Sequence, residues 1–365
     1  MAYRIQRLQA PLGASAIAAR TLAVVLALLT AGVALALTGS SPGALAREGV
    51  TDTFGSSFAL QDLALLVSPL ILTGLSVSVG LRVGAWNIGA EGQFNAGALA
   101  AAGVGLFVPG PPFVILSLML VAGIGGGILW IAGPALARAY AGVSELITTL
   151  LLNFVAGLSV YWLATGPWLE PGGRAIGTTA RIVAEIPEFW GDVHWGLPAA
   201  VIISMALSAL LRFTRWGYEI RICGSNPQAA HYAGMPVRRH LITVMLLSGA
   251  IAGTAGMFEV AGTVHHLQGG ISNNFGYLGI MVAVLARRST LAVLAGALFM
   301  AVLLNSGIIL ATRGVDVSVV LAVTGLVLLY TAIGDEVARY RIVRGPAALA
   351  RTPRPTRTRR MSSSR

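Results

Sequence analysis

Apolar residues come in blocks of about 15–20 along almost the whole chain, each separated from the next by a few polar, Gly or Pro residues. That block length matches the roughly 20 helical residues needed to cross the hydrocarbon layer of a bilayer. The pattern predicts spans near residues 21–38, 63–81, 94–108, 113–132, 146–164, 197–211, 241–258, 277–286, 290–311 and 317–334. The eighth is too short to cross alone. It is expected to continue the irregular stretch before it, as re-entrant backbone shielded by protein or lining a cavity. The expected fold class is all-α, a polytopic transmembrane helix bundle of about ten spans.

Composition agrees with this pattern. The chain is 56% apolar and only 11% charged, against about 25% charged residues in a soluble domain. Its 45 Gly would weaken helices in water, but in lipid small residues let helix backbones approach closely. All 25 basic residues are Arg, and net charge is +11. They sit between the apolar spans or in the tail, which reads as cytoplasmic anchoring and not as a nucleic-acid surface. With the N-terminus placed inside, 21 of the 25 fall on the cytoplasmic side. Only Arg47, Arg174, Arg181 and Arg313 fall outside. The asymmetry predicts an even number of crossings and two cytoplasmic termini. An alternative for the first span is a cleaved signal peptide, with Ala44-Leu45-Ala46 as its cleavage site. Its apolar core of about 17 residues exceeds the 7–15 of such peptides. The expected organisation is a cytoplasmic segment at 1–20, a membrane domain at 21–338 and a basic tail at 339–365. The tail is Arg-, Pro-, Thr- and Ser-rich, a composition expected to be disordered and to suit anionic lipid.

Polar residues inside apolar spans are costly to bury, so they mark function or specific pairing. Two clusters stand out. In the first, Asn87, Glu91 and Asn95 are spaced i, i+4, i+8, with Gln93 between them. Gly89 and Gly92 make a broken helix or tight turn an equal alternative. In the second, Glu145, Thr149 and Asn153 repeat the spacing on a Leu-rich span. For both clusters two readings stay open: a translocation pathway or hinge, and helix capping with interhelical hydrogen bonding.

The inside loop 212–240 has its own start and stop signals. Ser225 or Asn226 suits an N-cap, Pro227 the first helical position, and Gly234 a C-terminal stop before Pro236. The short helix between them presents Ala229, Ala230 and Tyr232, a face suited to docking on another protein. A plain connecting loop is the alternative.

Other chemistries are missing from the pattern. There is no Lys, hence no P-loop, and the single Cys223 excludes an internal disulfide. No metal-ligand pair or catalytic set is spaced for chemistry, so neither a metal site nor a catalytic residue is expected.

Residues 68–98, through Asn-Ile-Gly-Ala-Glu-Gly-Gln-Phe, resemble the permease subunits of nucleoside/simple-sugar ABC importers, within the branched-chain amino acid/ribose-type permease superfamily. The segments Glu145-Leu-Ile-Thr-Thr-Leu-Leu-Leu-Asn153, Gly224-Ser-Asn-Pro-Gln-Ala-Ala-His-Tyr-Ala-Gly234 and Ser248–Gly256, then Gly269, Gly270 and Gly276, continue the resemblance in order over about residues 60–335. One departure is Ala286-Arg287-Arg288-Ser289-Thr290, where the family has a Gly- and Asn/His-rich turn ending in Pro. The resemblance implies a permease that translocates nucleosides, or alternatively simple sugars such as ribose or galactose, across a bacterial inner membrane. It implies a cytoplasmic ATPase that carries ATP and Mg and docks on Gly224, Asn226, Pro227, Ala229, Ala230, Tyr232 and Gly234. No cofactor is expected on this chain. A second permease subunit, in a heterodimer or homodimer, and an extracytoplasmic solute-binding protein complete the implied assembly. The outer loop 166–196, with Glu170, Glu185, Glu188 and Asp192 against Arg174 and Arg181, is a candidate contact surface. The rival reading of another class is an ATPase-independent channel or secondary carrier.

Overall fold

Residues 2–7, 13–37, 41–170, 172, 177–286, 289–312 and 317–345 are described by a computed structural model of the chain. The chain divides into two compact units, one of Met1–Ser40 with Leu321–Arg365 and one of Ser41–Val320.

In the smaller unit, strand β1 (Ala2–Arg7) pairs antiparallel with a strand at Tyr340–Gly345, Ala2 opposite Gly345. The segment expected to be a disordered tail therefore begins as a strand. Its Tyr-Arg-Ile-Val run has β propensity, and pairing with β1 satisfies its backbone groups. Residues 346–365 lie outside the described residues. Helix α1 (Gly13–Leu37) starts eight residues before the expected span. It buries Ala23, Ala27 and Ala31, one stripe at four-residue spacing. The Thr30 hydroxyl lies 3.0 Å from that of Tyr330, on the last helix.

The larger unit opens with α2 (Pro42–Phe54), which the apolar pattern did not predict. Its Thr53 is fully buried, 3.1 Å from the Ser306 hydroxyl. Then come α3 (Ser57–Arg82), α4 (Ala90–Phe107), α5 (Pro112–Leu136), α6 (Glu145–Thr165), α7 (Gly196–Phe213), α8 (Arg215–Ser225), α9 (Pro227–Tyr232), α10 (Val237–Phe258), α11 (Phe275–Ala286) and α12 (Thr290–Thr312). Helix α13 (Val317–Val337) starts at the end of the larger unit, and from Leu321 on it belongs, with the strand Tyr340–Gly345 that follows it, to the smaller one. Both α5 and α10 end in a π-helical turn, Ala137–Ala141 and Glu259–Val264.

Among the described residues six helices are long and apolar enough to cross a membrane: Ser57–Arg82, Pro112–Ala141, Glu145–Thr165, Gly196–Phe213, Val237–Val264 and Thr290–Ile309. The stretches Thr21–Ala36 and Phe275–Ala286 are shorter apolar helices. Helix α3 and the α10 span are mostly buried, whereas only about a quarter to a third of the residues of α5, α6, α7 and α12 are buried. Leu129 on α5 is 77% exposed and Phe113 73%, a surface compatible with lipid and not with water. In the centre, α4, α5 and α10 meet through glycines. A methyl group on Gly97 would overlap the backbone of Gly253, and one on Gly127 the backbone of Gly249. This is the close approach that small residues permit in lipid.

At one end of the bundle an extended segment runs from Thr178 to Pro187 along the residues that follow α10. The amides of Thr179, Ile182 and Ile186 donate to the carbonyls of Leu267, His265 and Ala261. The segment's Ile182, Ala184 and Ile186 are buried. A short hairpin, β2 (Glu188–Trp190) with β3 (Val193–His194), leads into α7.

Candidate functional site

The candidate site is built where α3 ends and α4 begins. Helix α3 stops at a turn with Gly84 at φ +78°. The amides of Gly84 and Ala85 return to the carbonyls of Leu81 and Gly80. Residues 86–89 then form an irregular link, so Asn87 lies on a turn and Glu91 in the first turn of α4. The chain takes the broken-helix alternative, and the two side chains go to different partners.

Asn87 bonds within a buried amide–hydroxyl cluster. Its Nδ2 donates to Ser248 Oγ at 2.7 Å and to Gln93 Oε1 at 2.8 Å, while Gln93 Nε2 donates back to Asn87 Oδ1 at 2.8 Å. Ser248 donates in turn to the Ser76 carbonyl at 2.7 Å. The cluster ties α3, the turn, α4 and α10 together.

Glu91 points the other way. Its carboxylate accepts from the Ser272 hydroxyl and, at 2.8 Å, from the Gly276 amide. The Tyr277 amide and the Asn95 side chain also donate to it. The carboxylate thus lies between the N-terminal ends of α4 and α11, where the dipoles of both helices favour negative charge. Gly276 permits the approach, because a methyl group there would overlap the Glu91 backbone.

The stripe on α6 faces this same turn. Glu145 accepts from the Trp86 amide at 3.3 Å and pairs with Arg138 at 3.1 Å. The Thr149 side chain packs on Gly89. Asn153 accepts from the Gly92 amide at 2.8 Å and donates to the Ile88 carbonyl at 2.9 Å and to the Tyr277 hydroxyl at 3.2 Å. Asn87, Glu91, Gln93, Asn95, Glu145, Thr149 and Asn153 are all buried. The structure gathers all seven into a polar knot around the turn that opens α4: Asn87 bonds Gln93, Glu91 bonds Asn95, and Glu145 and Asn153 bond backbone groups of the turn and of the first turn of α4. Ser76, Ser248, Ser272 and Tyr277 belong to the knot but were not singled out from the sequence. A lone Ser or Tyr in an apolar span carries little signal; only the neighbouring Gly276 stood out there.

The loop 212–240 holds two helices. The unexpected one is α8, capped by the Thr214 hydroxyl, which accepts from the Gly217 amide at 3.1 Å. Glu219 on α8 holds Arg215 at 3.0 Å and His240 of α10 at 2.9 Å. The second is α9. Asn226, not Ser225, is its N-cap and accepts from the Ala229 amide at 3.0 Å. Pro227 is its first residue, and Gly234 follows it at φ +75°. Ala230 is fully buried while Tyr232 is 89% exposed. Ala229 is exposed too. A groove of about 1070 Å³ lies beside α9, lined in part by Tyr140, Tyr232, Arg238 and Arg239. Gly224 is pressed against the end of α3, where a methyl group would overlap the Arg82 carbonyl oxygen.

Of the 286–290 departure, Arg287 and Arg288 lie outside the described residues, and Ser289 accepts from the Ala292 amide at 3.3 Å as α12 begins. In the outer loop, Arg181 pairs with Glu185 at 2.7 Å. Arg174 lies outside the described residues. His194 is clasped between Gly196 and Gly262, and a methyl group on either would overlap its ring. Its Nδ1 accepts from the Gly196 amide at 3.0 Å and its Nε2 lies 3.3 Å from the Thr263 hydroxyl. Burial, and then His265, push this imidazole down to about 4.

The family model of branched-chain amino acid transport system / permease components matches residues 59–332. The chain is 35% identical to the glucose ABC transporter permease protein TsgB13 of Haloferax volcanii, over 88% of each chain. It is 31% identical to the guanosine ABC transporter permease protein NupP of Bacillus subtilis, over 76% of this chain and 82% of that one. It is 28% identical to the nucleoside ABC transporter permease protein NupB of Lactococcus lactis, over 76% and 80%. The match takes in the polar knot, the α8–α9 segment and all six long apolar helices, and the chain belongs to the family of branched-chain amino acid transport system permease components.

Proposed function

We propose that this chain is the membrane-spanning permease subunit of an ATP-driven importer for a neutral, hydroxylated solute, a nucleoside or alternatively a simple sugar. The named cargoes of the three relatives are glucose, guanosine and nucleosides. The observation that carries the ATP-driven reading is α9, a capped helix whose Tyr232 is 89% exposed. A six-residue helix is marginal alone, yet this one is capped at both ends, anchored by buried Ala230, and presents an aromatic side chain that none of the described residues covers. It is where a cytoplasmic ATPase, holding ATP and Mg, would dock.

In this reading 21–338 is the translocation domain and both termini are cytoplasmic. About ten elements enter the membrane, α11 and the start of α4 being partial crossings. The knot around Asn87, Glu91 and Asn153 acts as a hinge between them. A second permease subunit closes the route, and an extracytoplasmic binding protein delivers solute to the 166–196 side. The test is reconstitution in proteoliposomes with the ATPase and binding protein, with uptake of labelled guanosine and glucose measured with and without ATP. Uptake by this chain alone, without nucleotide, would refute the ATP-driven reading and favour a channel or secondary carrier.

A further inference from the structure

The segment between the π-turn of α10 and the start of α11 is irregular, and three of its non-glycine residues are left-handed: His265 at φ 61°, Asn273 at 42° and Asn274 at 62°. Two contacts with α6 fix its depth. Gly269 packs against the ring of Tyr161, and Tyr277 accepts from Asn153 at 3.2 Å. At 1.5 Å per residue, Tyr161 lies about 24 Å and Asn153 about 12 Å along a helix about 31 Å long. The residues from Gly269 to Tyr277 therefore descend through the middle of an apolar span.

Asn273 and Asn274 are exposed at that depth. The Asn273 amide N–H donates to the Gly270 carbonyl and the Asn274 carbonyl accepts from Leu278. Neither side-chain amide is bonded within the described residues. Hydrocarbon does not tolerate irregular backbone or bare amides; such groups occur at membrane depth only when shielded by protein or lining a water-filled cavity. The left-handed backbone, which Asn tolerates better than most residues, turns two adjacent amides outward from the chain. Tyr161, 59% exposed, adds an aromatic face where Gly269 packs, four residues before Asn273.

We propose that Asn273, Asn274 and Tyr161 line the translocation route and recognise the solute there. The ligand class is neutral. Amides offer paired donors and acceptors to hydroxyls or to the edge of a planar heterocycle, and the Tyr161 ring packs on a sugar or base face. The Glu91 carboxylate, bonded to Ser272 and Gly276 on either side of the two Asn, is buried and already accepts from both, so a zwitterionic amino acid would leave its charges unpaired. The inference rests on the permease reading and deepens it.

The test uses the full chain, assembled with its ATPase in membrane vesicles, in a Cys223→Ser background that removes the single cysteine. Asn273→Cys and Asn274→Cys are treated with a membrane-impermeant thiol reagent, with Leu129→Cys on the exposed apolar face of α5 as the control. Thiolates form in water and not in hydrocarbon, so both Asn sites should react about tenfold faster than the control or more. Saturating guanosine or glucose should slow the reaction. In parallel, Asn273→Gly and Asn274→Gly keep the left-handed backbone and drop the amide. Each should raise the KM for uptake about three- to tenfold, the loss of one neutral hydrogen bond. Reaction no faster than at Leu129→Cys would overturn the route. Accessible sites that neither solute protects, with KM unchanged in the Gly variants, would overturn recognition. Nucleotide-free uptake by wild type would refute the ATP-driven reading and leave the labelling result standing.

Discussion

Glu91→Ala is the perturbation that most directly probes the knot. Glu91 is 6% exposed, and its carboxylate joins α4 to Ser272 and Gly276 at the start of α11. Removing it orphans at least the Ser272 hydroxyl and the Gly276 amide, at about 1–3 kcal/mol for each buried donor. Two helix N-termini also lose their counter-charge, about 0.3–1 kcal/mol each. The variant recovers part of this because no carboxylate has to be desolvated. A net loss of about 3 kcal/mol remains, which at about 2–4 °C per kcal/mol lowers the Tm by roughly 6–12 °C. Glu91→Gln keeps the volume and one acceptor oxygen but places an NH₂ against a donor, so about half that drop is expected. The assay is thermal unfolding of the purified chain in detergent, read beside uptake in proteoliposomes. Both variants should lose uptake in step with stability, while membrane insertion, driven by the apolar blocks, is retained. If Glu91→Ala abolishes uptake with an unchanged Tm, the carboxylate acts on the solute and the hinge reasoning is wrong.

Three further outcomes follow from the same geometry. Tyr232→Ala should leave Tm unchanged, since the side chain is 89% exposed, and abolish ATP-driven uptake while the ATPase still hydrolyses ATP; normal uptake would mean that α9 is a plain connection. Gly224→Ala forces a methyl group into the Arg82 carbonyl and should cost about 1–3 kcal/mol of stability by overpacking, seen as a lower Tm that Gln228→Ala, at an exposed position, does not share. His194, held neutral with its value pushed down to about 4, takes up a proton more readily in the unfolded chain. Its contribution, on the order of 3 kcal/mol, is full above the ordinary histidine value near 6.5 and is lost progressively as pH falls toward about 4. Protease cleavage within 178–195 should therefore rise between pH 7 and pH 5 in wild type, and His194→Gln should abolish that pH dependence.

Local signals were legible in the sequence and distant pairings were not. The six long apolar helices follow from apolar runs, because hydrocarbon rewards nothing else over 20 residues. The stop and start of α9 follow from Asn226, Pro227 and Gly234, whose backbone preferences act within one turn. The stripe Glu145, Thr149, Asn153 was visible as a four-residue repeat, but its direction was not. Which face of α6 meets the 86–92 turn depends on how α4 enters the bundle, and periodicity does not encode that. The partners of Glu91 lie 181 and 185 residues away, and β1 pairs with a strand at the opposite end of the chain; no spacing rule connects such positions. Helix α2 was missed because its sequence is polar and short, and its burial of Thr53 against α12 is a tertiary effect.

The two kinds of contact in the bundle point to where it can move. Helices α4, α5 and α10 touch through bare backbone at Gly97, Gly127, Gly249 and Gly253. Such contacts have no alternative packing, since any shift opens voids that nothing fills. Helix α11 meets α4 instead through one carboxylate, one hydroxyl and backbone amides, groups that can exchange partners with one another or with water. Displacement at α9 has a steric path toward that joint. Asn226 ends α8 and caps α9, so the two helices turn as one elbow. Gly224 on that elbow abuts the last carbonyl of α3, and the turn after α3 carries Asn87. A push there reaches the turn that feeds α4 before it can disturb the glycine-packed block. Opening is therefore expected between α4 and the irregular turn before α11, at Glu91, beside the segment that carries Asn273 and Asn274.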